Sequence, residues 1–147
     1  MAAQALGWQG DLDSSKLRIF GHSLGSAACL IAAREFKIQQ GVLLTPFTST
    51  MDMGRHMTGL PIGSLVWHRF DNGARLDELA ARGPGKVIIF HGTDDESIPV
   101  AMSRTLAAQQ KQAVRLVEIP NGRHNTLQLT NTVEIAAALE EIGKSGF

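Results

Sequence analysis

The chain of 147 residues is long enough to bury one core, and 44% hydrophobic with 19% charged residues are globular proportions. Lysine plus arginine equals aspartate plus glutamate at 14 each, so no global field recruits polyanions, and a nucleic-acid-binding module is set aside. A single cysteine, Cys29, excludes an intramolecular disulfide and a cysteine-based zinc site.

In chain order, Met1 to Gly7 lacks the basic and long apolar regions of a signal peptide. No apolar run reaches the roughly 18 residues of a spanning helix, so a cytoplasmic chain is expected. Membrane contact is expected only through a segment upstream of Met1. Lys16 to Gly21 (KLRIFG) reads as a first strand. The alanine-rich stretch Leu24 to Phe36 reads as a helix with Leu24, Ala27, Ala28, Ile31 and Ala32 along one stripe. Cys29 within it is expected to be a small buried hydrophobe.

Gly41 to Thr45 (GVLLT) reads as a second strand. The following connection is too long for a plain crossover and contains Met51, Met53, Met57, Leu60, Ile62, Leu65, Val66, Trp67 and Phe70. Gly59, Pro61 and Gly63 interrupt it, predicting one or two short helices. They form either a small cap over residues 46–75 that supplies an acyl-binding wall, or ordinary core helix. Lys86 to His91 (KVIIFH) and Val114 to Ile119 (VRLVEI) read as the third and fourth strands. Val100 to Gln110 opens a helix just after Pro99. Thr132 to Ile142 follows Asn131, an expected N-cap with Glu134 three residues on, and turns Ile135, Leu139 and Ile142 towards the sheet.

Strand and helix alternate without repeats or linkers, predicting one α/β domain over 1–147 with a parallel sheet of about four strands. The second and third strands are apolar almost throughout, as in strands covered on both faces. The first and fourth are mixed and belong nearer the edges.

The chemistry gathers in three loops. Gly21-His22-Ser23-Leu24-Gly25 lies where a strand ends and a helix begins, the setting of a nucleophile elbow. Such a turn strains the serine backbone, and glycines two before and two after leave room for strand and helix. Ser23 would stand at the helix N-terminus, where the Leu24 N–H donates to a developing oxyanion. A serine needs a base and an orienting acid, expected in the chain order Ser, Asp, His. The loop after the third strand carries acids (His91-Gly92-Thr93-Asp94-Asp95-Glu96), and the loop after the fourth carries His124. His22 sits too close to the nucleophile to serve as base and is expected to line the pocket. His91 is expected to be a hydrogen-bonded structural residue, and His56 and His68 to occupy surface or pocket-wall positions. Histidine spacing gives no metal site, and no cofactor is implied.

The segments GHSLGSA, LLTPFTS, LPIGSLVWHRFDN, HGTDDESIP and NGRHN together resemble consecutive motifs of single-domain α/β-hydrolases. The resemblance runs from about Leu17 to the C-terminus and points to the lysophospholipase-like and depalmitoylase-like branch. It implies a three-layer partial α/β-hydrolase fold with a short cap between the second and third strands. In the family's HG-x-x-D-x-x-(V/I)-P signature the acid is the fifth residue, here Asp95, with Asp94 as the alternative. The histidine of its G-x-x-H-N-like motif corresponds to His124, and Leu24 occupies the oxyanion-donor position. Phe47, Met57 and Ile98, with His22, are expected to line the pocket. The implied activity is a serine hydrolase cleaving a small carboxylic ester or thioester through an acyl-enzyme.

The family's sheet has eight strands, and these four correspond to its C-terminal half. A second oxyanion donor, normally from the loop after the family's third strand, is therefore expected to be missing. The alternative is a catalytically impaired fragment or scaffold. The expected origins are a truncated product, then a fragment needing a partner, then a minimal domain dimerising through its exposed sheet edge.

Overall fold

The computed structural model describes residues 16–60, 69–83 and 85–144. Met1 to Ser15 and the cap-segment residues Pro61, Ile62, Gly63, Leu65, Val66, Trp67 and His68 lie outside them. Four strands, β1 (Ile19–His22), β2 (Gln40–Leu44), β3 (Lys86–Gly92) and β4 (Val114–Ile119), form one parallel sheet in the order β1-β2-β3-β4. The helices are α1 (Leu24–Glu35), α2 (Thr50–Thr58), α3 (Asn72–Ala81), α4 (Val100–Gln109), the short α5 (Leu127–Thr130) and α6 (Thr132–Lys144).

Side chains alternate across a strand, so the inner strands feed two cores. Leu43, Val87 and Ile89 meet Leu30, Ala33, Leu76, Leu79 and Leu106 on the face covered by α1, α3 and α4. Val42, Leu44, Ile88 and Phe90 meet Ile135, Ala138 and Ile142 on the opposite face, under α6. These strand residues are at most 2% exposed, which explains why β2 and β3 carry no polar alternation. Each fully buried aliphatic side chain contributes about 1.5–3 kcal/mol. The expected placement of the mixed strands holds: β1 and β4 are the outer strands of this sheet.

Several expectations need correction. β1 starts at Ile19 and continues through His22, later than the predicted start at Lys16. α1 buries Ser26, Ala27, Leu30 and Ala33, while Leu24 (58% exposed), Ala28 and Ile31 (45%) face outward. Alanines on every side of this helix leave the 3.6-residue period without a clear phase, and packing against α3 and β1 selects the face. Cys29 is half-buried, with its thiol on the Phe20 carbonyl at 3.2 Å. Asn131 directly precedes α6, and its carbonyl accepts from the Ile135 amide at 3.0 Å. It closes α5, and its Nδ2 donates to the Leu127 carbonyl at 2.9 Å.

The described part of 46–75 holds α2 and the start of α3. α2 buries none of its residues and is capped by Ser49, which accepts from the Asp52 amide at 3.0 Å. Met57 is 76% exposed, and Met53 packs only partly against Ala27, Phe47 and Ile98. α3, the second short helix of this connection, is capped by Asp71 and sinks Leu76 and Leu79 into the core. Among the described residues no helix is long and apolar enough to cross a membrane.

Candidate active site

All three expected loops leave the carboxyl ends of parallel strands, which places them at one edge of the sheet. The first is the turn from β1 into α1. Ser23 holds φ 54°, a left-handed conformation costly for any residue with a side chain. Main-chain bonds stabilise it: Ser23 N–H donates to the Leu44 carbonyl at 2.9 Å, and Ser26 N–H to the Ser23 carbonyl at 3.0 Å. Buried Ser26 adds a clamp that sequence reading treated as simple small-residue packing. Its Oγ reaches the carbonyls of Gly21 at 3.0 Å and Leu44 at 3.3 Å.

The two elbow glycines are not equivalent. A Cβ at Gly21 would stand 2.8 Å from the Gly25 carbonyl oxygen and the Ser26 Cα, so that position must lack one. A Cβ at Gly25 would meet no atom of the described residues within 4 Å, which corrects the expectation that both glycines serve close packing. Leu24 opens α1, and the first N–H groups of a helix have no intrahelical acceptor. Its amide is thus available beside Ser23.

The acid and histidine loops are laced to each other. Thr93 N–H donates to the Ile119 carbonyl at 2.9 Å, Asp94 N–H to the Gly122 carbonyl at 3.1 Å, and Asn121 N–H to Thr93 Oγ1 at 2.9 Å. Gly92 and Gly122 touch backbone to backbone, and a Cβ on Gly92 would run into the Gly122 carbonyl. Because the obstacle is main chain, it cannot yield cheaply. Gly92→Ala is expected to destabilise the fold by about 1–3 kcal/mol, read as a lowered Tm, by forcing these loops apart. An unchanged Tm would show that the loops shift freely.

This lacing sets Asp95 against His124. His124 Nδ1 lies 2.8 Å from Asp95 Oδ2, and the Asp95 side chain is fully buried. A carboxylate only accepts, so Nδ1 carries the proton and Nε2 keeps its lone pair. The other oxygen, Oδ1, accepts from the amides of Ser97 and Ile98, both at 2.8 Å. Burial alone would raise the Asp95 carboxyl. Donors from His91, the Ile98 amide, His124 and the Ser97 amide outweigh it and hold the group well below the usual carboxylate range. Asp94, the alternative acid, is exposed, and among the described residues its carboxylate accepts only from Thr93 Oγ1, at 3.2 Å. The geometry brings Asp95 to His124.

His22 lands elsewhere than expected. It is absent from the cleft wall, and its Nε2 donates to the His124 carbonyl at 3.1 Å with the rings 4.9 Å apart. It latches the histidine loop to the elbow. Ser23 Oγ has no hydrogen-bond partner among the described residues, so the contact with His124 is not closed. In unliganded sites such contacts are commonly long and tighten with substrate.

Beside Ser23 and Leu24 opens a cleft of about 820 Å³ walled by Phe47, Met53, Met57 and Ile98. Phe47, Met57 and Ile98, the three apolar residues expected to line a pocket, thus stand along this cleft. His56 and Glu96 add polar groups to its lining. His91 was read as structural, and its bonds to Ser103 and Ile98 fit that. Its ring also comes within 3.4 Å of Asp95 Oδ2, which strand periodicity gives no means of seeing.

No protein-family model matches the chain. It is 30% identical over 129 residues to an uncharacterized protein of Mycobacterium tuberculosis, a match covering 87% of this chain and 44% of that one. It is 29% identical over 133 residues to the alpha/beta hydrolase domain-containing protein WAV2 of Arabidopsis thaliana, covering 78% and 42%. The chain thus spans less than half the length of these curated relatives. Among solved structures it is similar to the esterase domain of a Rhodothermus marinus protein. There the TM-score is 0.63 at 19% identity, over 97% of this chain and 63% of that one.

Proposed function

The chain has the α/β-hydrolase fold, and we propose that it works as a serine hydrolase on small carboxylic esters or thioesters. The observation that carries this reading is the buried Asp95–His124 pair, latched by His22 beside a strained elbow serine. In this reading Ser23 Oγ attacks the acyl carbonyl carbon while His124 Nε2 takes its proton. Asp95 Oδ2 stabilises the resulting imidazolium, and the Leu24 N–H receives charge on the carbonyl oxygen. Collapse breaks the bond to the alcohol or thiol, which leaves with the proton from Nε2. Water then repeats the sequence in reverse to free the acid. The apolar wall of Phe47, Met53, Met57 and Ile98 suits an acyl chain better than a peptide.

The test is labelling with a fluorophosphonate probe followed by peptide mapping. Stoichiometric modification at Ser23 is expected, and competition by a short acyl ester should slow it. The open contact between Ser23 and His124 favours a second reading, a scaffold that keeps the three residues without turnover. That reading predicts no labelling at Ser23.

A further inference from the structure

His91 and Ser103 are both wholly buried and take no part in the mechanism above. His91 Nε2 lies 2.8 Å from the Ile98 carbonyl, which can only accept, so this nitrogen carries the proton. In the neutral ring Nδ1 is then the acceptor, and Ser103 Oγ of α4, 2.7 Å away and farther from its other acceptor, the Pro46 carbonyl at 3.4 Å, donates to it. The ring is held from both ends in one tautomer. Its Nε2–H also faces Asp95 Oδ2 at 3.4 Å, the same oxygen that His124 Nδ1–H approaches to 2.8 Å. One carboxylate oxygen therefore sits between two imidazoles.

We propose that His91 is a positioning residue for the reaction: its Nε2–H, fixed by Ser103, shares Asp95 Oδ2 with His124 and limits how strongly the carboxylate holds the imidazolium. This rests on the serine-hydrolase reading. A second donor on Oδ2 spreads the carboxylate charge and weakens its hold on the His124 imidazolium. By also holding the Ile98 carbonyl, His91 braces the turn whose Ser97 and Ile98 amides grip Oδ1.

Other charged groups near this ring come from defined directions. Glu118 of β4 stands opposite His91 in the strand register and is engaged by Arg104 of α4 at 2.6 Å. His22 faces His124 from the elbow. His91 lies on the same face of β3 as Val87 and Ile89, and the residues that β2, α1, α3 and α4 gather on that face, Leu43, Leu30, Leu76, Leu79 and Leu106, are apolar.

The experiment follows the rate of Ser23 labelling by the fluorophosphonate as a function of pH. The rate rises with pH as His124 loses its proton, and the midpoint is the readout. Removing the donor in His91→Leu is expected to raise that midpoint by about half a pH unit and slow labelling several-fold. His91→Gln, which restores an N–H near the position of Nε2, should return the midpoint close to wild type. An unmoved midpoint in His91→Leu, or an equal shift in His91→Gln, would overturn the proposal.

Should His91→Leu fail to fold, long-range ¹⁵N–¹H spectra of the unaltered protein decide the matter. His91 is expected as the Nε2–H tautomer, with a proton resonance that moves as His124 titrates. A Nδ1–H tautomer or an unresponsive resonance would overturn it. Wild-type protein that shows no labelling would instead sink the serine-hydrolase reading, and the spectra would still test the shared carboxylate.

Discussion

Ser23→Ala and His124→Ala are each expected to lower kcat for ester hydrolysis by about 10⁶, and the double variant to fall no further. The reason is that the two groups act as a unit. Without the base the hydroxyl keeps its proton, and without the hydroxyl the base has nothing to activate. Residual turnover would come from the Leu24 amide and the apolar cleft, which neither substitution touches. Thermal melts separate chemistry from folding here. Bonds holding the elbow run through the Ser23 main chain to Leu44, and alanine keeps them. Additive losses in the double variant, or a Ser23→Ala protein that kept turnover, would remove Ser23 from the nucleophile's role.

Asp95→Asn should cost about 10⁴ in kcat while leaving the fold assembled. The surroundings of the carboxylate dictate which way the amide turns. Oδ1 accepts from two backbone N–H groups, so an Asn NH₂ placed there would oppose two donors. The carbonyl therefore takes that side, and the NH₂ faces His124 Nδ1. A donor at Nδ1 drives the imidazole proton to Nε2, the nitrogen that must accept from Ser23. The base is present but in the wrong tautomer.

The same substitution should change acid stability. The folded-state carboxyl of Asp95 is depressed relative to an ordinary aspartate. Its contribution is therefore complete above the unfolded value of about 4 and disappears as pH falls through the lower folded value. Wild-type stability should fall more steeply below about pH 4 than that of Asp95→Asn, measured by denaturant titrations across that range. Parallel curves would show that the buried carboxylate is not selectively stabilised.

Much of this architecture was legible in the residues. Continuous apolar runs at 41–45 and 86–91 marked covered strands, and the glycine-flanked Ser23 marked a strand-to-helix turn. The acid and the histidine were expected beyond the third and fourth strands because parallel strands deliver their following loops to one edge. Local pattern decides such features, since hydrophobic period and turn chemistry are properties of neighbouring residues.

Other features depend on residues far apart in the chain. Leu24 and Ile31 face outward because α3 and β1 claim the opposite side of an alanine-rich helix that has no preferred phase of its own. Asp95 rather than Asp94 meets His124 because the Gly92–Gly122 contact fixes how the two loops approach. His22 passes behind the catalytic candidates instead of into the cleft, and His91 shares a carboxylate with His124 only because strand β3 and loop 120–126 converge. The sequence by itself determined the strands, the elbow with Ser23, and loops carrying an acid at 94 or 95 and a histidine at 124. Tertiary packing decided which faces are buried and which donors surround Asp95, because a hydrogen bond depends on ångström placement that no local period encodes.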